Sequence, residues 1–248
     1  MRLKSIEIAN FKAFGKEFQT IPIKPITLVF GPNSAGKSSL IHSLLWLNHA
    51  TACGESDIFH PALSGESVNL GGFEQCLNRK SGEQRLKIAL TMKNEVDAME
   101  STQGKIKATN FRLALYFGRV HQGKPPMLES FALYADQQVL LNGWVRNIEN
   151  PWFEAKVEWS HPSLSEVLQQ HDVKENAAIA EYRLHFNGVM PCRIELDGFG
   201  KWHMERIKES FEGLYSFFAK DLPDQIAGIF HGFNFTSRRF ADVHTART

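Results

Sequence analysis

The run Gly31-Pro32-Asn33-Ser34-Ala35-Gly36-Lys37-Ser38-Ser39 constrains this chain more than any other stretch. It satisfies the spacing G-x-x-x-x-G-K-[ST], with Gly31, Gly36, Lys37 and Ser38 in the fixed places. Glycine at those points lets the backbone curl until consecutive N–H groups converge on one point, which makes a nest for phosphate oxygens. Lys37 then brings a mobile point charge to the β- and γ-phosphates of a nucleotide, and the Ser38 hydroxyl supplies a Mg²⁺ ligand. A helix beginning at the end of the loop adds the positive end of its dipole. All nine residues are candidate nucleotide contacts, with Lys37 as the catalytic charge and Ser38 as the metal ligand.

Both flanks agree with that reading. Ile26, Thr27, Leu28, Val29 and Phe30 precede the loop and predict a short strand buried on both faces. Leu40, Ile41, Leu44, Leu45 and Leu47 follow it at helical spacing, towards a stop near Gly54. Strand, glycine loop and helix in succession separate a phosphate site from a chance Gly/Lys/Ser turn.

Composition sets wider bounds. At 248 residues the chain buries a sizeable core, as one large domain or two closely packed lobes. Hydrophobic residues at 43% and charged residues at 22% exclude a disordered chain, and a net charge of +1 gives no global attraction for polyanions. Cys53, Cys76 and Cys192 are odd in number and widely spaced, which fits thiols filling a core in a reducing compartment. No apolar run approaches the ~20 residues that cross a bilayer. The start, Met1-Arg2-Leu3-Lys4-Ser5-Ile6-Glu7, lacks the apolar core of a signal peptide, so the expected location is the cytoplasm, without a membrane partner.

Ile8-Ala9-Asn10-Phe11-Lys12-Ala13-Phe14, followed by a strand and the glycine loop, resembles the opening of the ABC-type ATPases of the SMC/RecF group. Within that group it is most similar to the OLD-like and Septu-type defence ATPases. Asn10-Phe11-Lys12 and Asn33 match the group's pattern and argue against small GTPases and nucleotide kinases, which share only the bare loop. The resemblance is specific over residues 1–47 and weaker over 60–78. It implies an α/β fold: a P-loop NTPase of the ABC head-lobe type with an extensive antiparallel β-subdomain and C-terminal helices. It also implies ATP and Mg²⁺ as cofactors, a head-to-head dimer or higher oligomer closed by ATP, and DNA and a nuclease as partners in phage defence or repair. Two more site residues come from the resemblance alone. Lys12 would reach phosphate, or is a solvated lysine at a strand end; Gln75 would sense Mg²⁺ and the γ-phosphate, or is a plain surface glutamine.

The expected organisation is a P-loop core over residues 1–84, an antiparallel β-rich subdomain with a short helix over 85–200, and a helical segment over 201–248. Residues 2–11 alternate as a half-buried strand, and residues 18–23 form a second after a turn at Gly15-Lys16. Leu86, Ile88, Leu90 and Met92 alternate with polar or small residues, as do Phe111, Leu113, Leu115 and Phe117. Residues 128–134 and 139–145 read as two strands joined at Asp136-Gln137-Gln138, and Asn187-Gly188 marks a further hairpin. Residues 94–108 read as a loop and 162–180 as a helix. Ile207, Phe211, Leu214, Phe217 and Phe218 fall on one side of another helix and are expected in the core, and Pro223 opens a short last one.

An ABC-type site further requires a Walker B strand ending in Asp-Glu and an LSGGQ-like signature. Phe131-Ala132-Leu133-Tyr134-Ala135-Asp136 is followed by Gln137 where the catalytic Glu belongs, so a hairpin is the better reading. Leu63-Ser64-Gly65-Glu66 comes too soon after the loop helix to be a signature. The expectation is an N-terminal portion of a longer ATPase, which binds ATP but turns it over no faster than background. The competing readings are an ATPase subunit of a membrane transporter and a non-catalytic, nucleotide-gated interaction module. Basic clusters at Arg79-Lys80, Arg85-Lys87 and Arg238-Arg239 are either DNA contacts or solvated faces.

Overall fold

The computed structural model describes residues 1–33, 35–52, 58, 63, 69–94, 106, 108–119, 125–145, 153–158, 160–164, 181–197, 211, 214 and 217–229. The expected stop at Gly54, the loop at 95–105, most of the helix read at 162–180 and the cluster at Arg238-Arg239 lie outside these residues.

Alternating sequence becomes one continuous antiparallel sheet. Its strands are β1 (Arg2–Ala9), β2 (Gln19–Pro22), β3 (Leu86–Lys93), β4 (Asn110–Gly118), β5 (Met127–Ala135), β6 (Gln138–Val145), β7 (Phe153–Val157), β8 (Glu181–Asn187) and β9 (Met190–Asp197). The spatial order is β2-β1-β3-β4-β5-β6-β7-β8-β9, so a meander from β3 to β9 is extended at one side by the N-terminal pair. Ile6 pairs with Leu90, Leu90 with Leu113, and Leu113 with Leu133. That register stacks the apolar positions of four strands on one face.

Helix α1 (Lys37–Ala52) is laid on this face. Trp46 is fully buried and meets the Phe117 ring edge-on, with centroids 5.1 Å apart at 83°. Near the β6 end, Phe131, Phe153 and Phe186 form a second aromatic cluster. Phe131 also occupies the space over Gly143, where a Cβ would overlap the ring. The other face carries the buried alanines Ala89, Ala114 and Ala132 under a polar cover. There Arg112 pairs with Glu7 at 2.7 Å, and its guanidinium lies over the rings of Phe18 and Tyr134.

Phe211, Leu214, Phe217 and Phe218 are buried, as their spacing predicts, and α3 (Leu222–Gly228) follows a π-helical turn at Phe217–Asp221. Gln225 of α3 ties the two chain regions together. Its Oε1 accepts the Leu3 N–H at 2.7 Å and its Nε2 donates to the Met1 carbonyl at 3.0 Å. The amide thereby acts as a short strand neighbour where β2, which pairs only with Ser5 to Ile8, does not reach.

Two local expectations are corrected, and a third lies mostly outside the described residues. Residues 26–30 are not a strand: they run without regular structure, and Ile26, Leu28 and Phe30 are 78%, 70% and 83% exposed. An apolar run becomes a buried strand only when neighbours supply hydrogen bonds on its edges, and no described strand pairs with it. The last hairpin is shifted by one residue. Asn187 pairs with Met190, so the two loop residues are Gly188 and Val189, and Gly188 supplies the positive φ of 57°. The helix read from Pro162 begins, within the described residues, as a 3₁₀ turn at Pro162–Leu164.

Replacing Gly143 by alanine forces the Phe131 ring from its place in the second aromatic cluster. The expected loss is about 1–3 kcal/mol of unfolding free energy, read as a lower urea midpoint at unchanged m-value.

Candidate functional site

The candidate phosphate contacts among the described residues lie at one end of the sheet, because β1 delivers the chain there. At Asn10 the strand stops in a left-handed conformation (φ 52°), which asparagine tolerates better than most residues. Asn10 is fully buried, and its amide donates to the Glu83 and Arg85 carbonyls, each at 2.7 Å. The Ser81 hydroxyl bonds its Oδ1. The end of β1 is thus latched to the segment that enters β3. The next residues turn sharply: Phe11 and Phe14 exchange backbone bonds around Lys12, itself at φ 48°. Lys12 is held by its backbone as well, its N–H donating to the Cys76 carbonyl and its carbonyl accepting from Asn78 Nδ2, both at 2.7 Å.

This turn abuts the glycine loop. Gly36 has φ 93°, and a Cβ built there would stand 3.1 Å from that of Ala13. Glycine is therefore required at Gly36 twice, for its backbone angle and for the close approach. Gly31, Pro32, Asn33 and Ala35 are exposed, whereas Ser34 lies outside the described residues. Helix α1 begins at Lys37, and its first amide groups, including those of Ser38 and Ser39, have no intrahelical acceptors. Those donors and the aligned helix dipole suit an anion at the exposed Ser38. Ser39 points into the core and is 9% exposed.

The Lys37 ammonium curls back into the loop, donating to the Gly31 carbonyl at 2.7 Å and the Pro32 carbonyl at 2.6 Å. A phosphate therefore gains this lysine only by exchange for two loop carbonyls. The concave loop, the amide donors and the cation within it fit the triphosphate and Mg²⁺ that the sequence implies. Lys12 has a partner that its sequence position did not reveal. Its Nζ lies 3.3 Å from Nδ1 of His42, on the second turn of α1. Half-burial, and then the charge of Lys12, hold the His42 imidazole below its ordinary range, so it is neutral at pH 7 and accepts a hydrogen bond from the lysine. The one signal in the sequence was its place four residues after Ser38, on the same helix face.

Gln75 sits in the short helix α2 (Phe73–Cys76), joined to the Lys12 turn through the neighbouring Cys76 carbonyl. Its side chain folds over Gly71, whose φ is 76°. Cys76 is buried, and burial pushes its thiol up to about 11, so it is an inert core group.

Asp136 belongs elsewhere. It and Gln137 form the β5–β6 turn with φ 44° and 74°, and its carboxylate accepts the N–H groups of Thr109 and Asn110. Strands β4 and β5 carry it to the opposite end of the sheet, roughly 25 Å away at ~3.3 Å per residue. The hairpin reading of this segment is correct. Arg85 pairs with Glu129 at 2.6 Å and Lys87 with Glu83 at 2.7 Å, which accounts for two members of the basic cluster without a nucleic acid. Among the described residues no helix is long and apolar enough to cross a membrane.

This chain is similar to known proteins in sequence and in structure. Residues 1–174 match the model of the AAA ATPase domain family. The Old nuclease of Escherichia phage P2 is 35% identical over 91 residues, which cover 36% of this chain and 15% of that protein. This chain therefore spans a minor part of that relative's length. A solved structure from a study of ATP-driven dimerization and DNA-stimulated activation of SMC ATPases superposes with a TM-score of 0.34 at 15% identity, covering 56% of this chain and 72% of that one.

Removal of the Asn10 amide tests the latch. Asn10→Ala leaves two part-buried carbonyls without their donor and is expected to lower unfolding free energy by about 1–3 kcal/mol in urea melts. Asn10→Asp offers acceptors where donors are needed and should be as damaging. Parental stability in that variant would show that the amide does not hold the turn.

Proposed function

The chain belongs to the AAA ATPase domain family, and we propose that residues 31–39 bind the phosphates of Mg·ATP in an SMC/RecF-like, OLD-like ATPase. The observation that carries this reading is the exposed glycine loop, with the Lys37 ammonium inside it and the amide donors of α1 at its end. Lys37 exchanges its two carbonyl partners for β- and γ-phosphate oxygens, a stronger charge-assisted contact. Residues 31–36 cradle the phosphates by their backbone, and Ser38 offers its hydroxyl to Mg²⁺. Lys12 adds a second cation from the β1 turn. Gln75 meets the metal after its side chain leaves Gly71. Catalysis in such a site is positioning and charge stabilisation, for which this lobe supplies the cations.

In the division of labour proposed here, residues 1–84 form the ATP-binding core, 85–200 the β-rich platform beside it, and 201–248 a helical segment. The exposed run at 26–30 supports pairing with strands outside the described residues, in the complete ATPase. ATP-driven closure of two heads, DNA as the responding partner and an attached or associated nuclease are the output proposed for that complete protein, in phage defence or repair. The likeness to the phage Old nuclease over 91 residues supports the nuclease link. The cytoplasm is the proposed location.

Lys37→Ala is expected to abolish ATP binding in titration calorimetry and to leave the thermal melt unchanged, because a lysine bonded only to exposed loop carbonyls supports little core. Equal affinity in variant and parent would overturn the site. In Ser38→Ala, nucleotide binding should persist while its dependence on Mg²⁺ weakens. Unchanged Mg²⁺ dependence would remove Ser38 from the metal.

A further inference from the structure

We infer that His42 is a positioning residue for nucleotide binding: its neutral imidazole accepts a hydrogen bond from Lys12 and holds that ammonium beside the phosphate end of α1. The inference rests on the phosphate-site reading and adds to it a residue outside the glycine loop.

Three observations lead there. The Lys12 backbone is fixed at both ends of its peptide units, by Cys76 and Asn78, so only the side chain remains free to choose a direction. Its Nζ has gone to His42 Nδ1 at 3.3 Å. His42 follows Ser38 by four residues, which places both on one face of α1 about one turn apart. Side chains of a helix lean towards its N-terminus, so the imidazole covers the turn that carries Ser38. The lysine charge is thereby parked over the helix face from which the Ser38 hydroxyl and the free amide groups address an anion.

Energetics favour this use of a histidine. An unheld lysine loses side-chain rotamer freedom when it meets phosphate. Part of that freedom is already lost when the side chain rests on His42. A carboxylate at the same place would hold the lysine more strongly but would also repel an incoming phosphate. Neutral imidazole offers a lone pair and no negative charge.

A double-mutant cycle tests the inference, with Mg·ATP affinity of the full chain measured by calorimetry. Lys12→Met is expected to weaken binding roughly tenfold, the effect of one charge-assisted contact. His42→Ala should weaken it roughly threefold to fivefold when Lys12 is present, and less than twofold in the Lys12→Met background. His42→Asn puts an acceptor at the place of Nδ1 and should restore binding to within twofold of the parent, which a mere packing role would not explain. Equal losses from His42→Ala in both backgrounds, no loss in either, or failure of His42→Asn to rescue would each overturn the inference. A parent that binds no Mg·ATP would instead overturn the phosphate site on which it rests.

Discussion

A buried asparagine amide holds the working end of this molecule together. Asn10 ends β1 in a left-handed turn that most side chains resist, and its amide satisfies two carbonyls of the segment entering β3. Because that segment is continuous with the sheet, the turn after Asn10 inherits the sheet's rigidity. Lys12 and Ala13 then stand where they do through backbone geometry, with Ala13 against Gly36 and Lys12 over α1. Without the latch, the same residues would sit on a free loop, and the glycine loop would lose the turn that packs against Gly36.

The sheet is a platform with two different faces, and the difference decides what each end does. One face is filled by α1 and by the Phe-rich C-terminal segment, with Trp46 and Phe117 at the contact. The other keeps alanines in the middle and places Glu7, Arg112 and Tyr134 above them. Helix α1 is anchored along its length, with Ser39 and Leu40 of its first turn buried, while Ser38 stays exposed at its start. An N-terminus with free amide groups is tolerable only where water or an anion can reach it.

The cations at this site differ in what restrains them. Lys37 is held by two carbonyls of its own loop, so any phosphate must compete with them. Lys12 rests on a neutral imidazole that offers one lone pair. Arg85 and Lys87, by contrast, have carboxylate partners and are electrically neutralised in place. A row of basic residues in sequence is consequently divided in space into cations that can meet a ligand and cations that serve the fold. Charge counting along the chain cannot make that division, because the carboxylates come from β5 and from the turn before β3.

Local patterns were legible where the physics is local. The glycine loop and the helix after it follow from residues within one turn of each other, and the strands from β3 to β6 follow from period-two alternation. The Asp136 turn was readable for the same reason, since two residues with positive φ close adjacent strands. What failed needed distant neighbours. Residues 26–30 have the composition of a buried strand, yet burial depends on partner strands that composition does not name. The hairpin loop falls on Gly188 and Val189, one residue later than the Asn-Gly pair suggests, because the cross-strand partner of Asn187 is Met190. His42 passed as one of ten scattered histidines until folding carried Lys12, thirty positions earlier in the chain, to within 3.3 Å of it. The sequence by itself determined the glycine loop, because that geometry is written in consecutive backbone angles. Only the tertiary structure decided which side chains stand around the loop, because their approach depends on the latch at Asn10 and the register of a nine-stranded sheet.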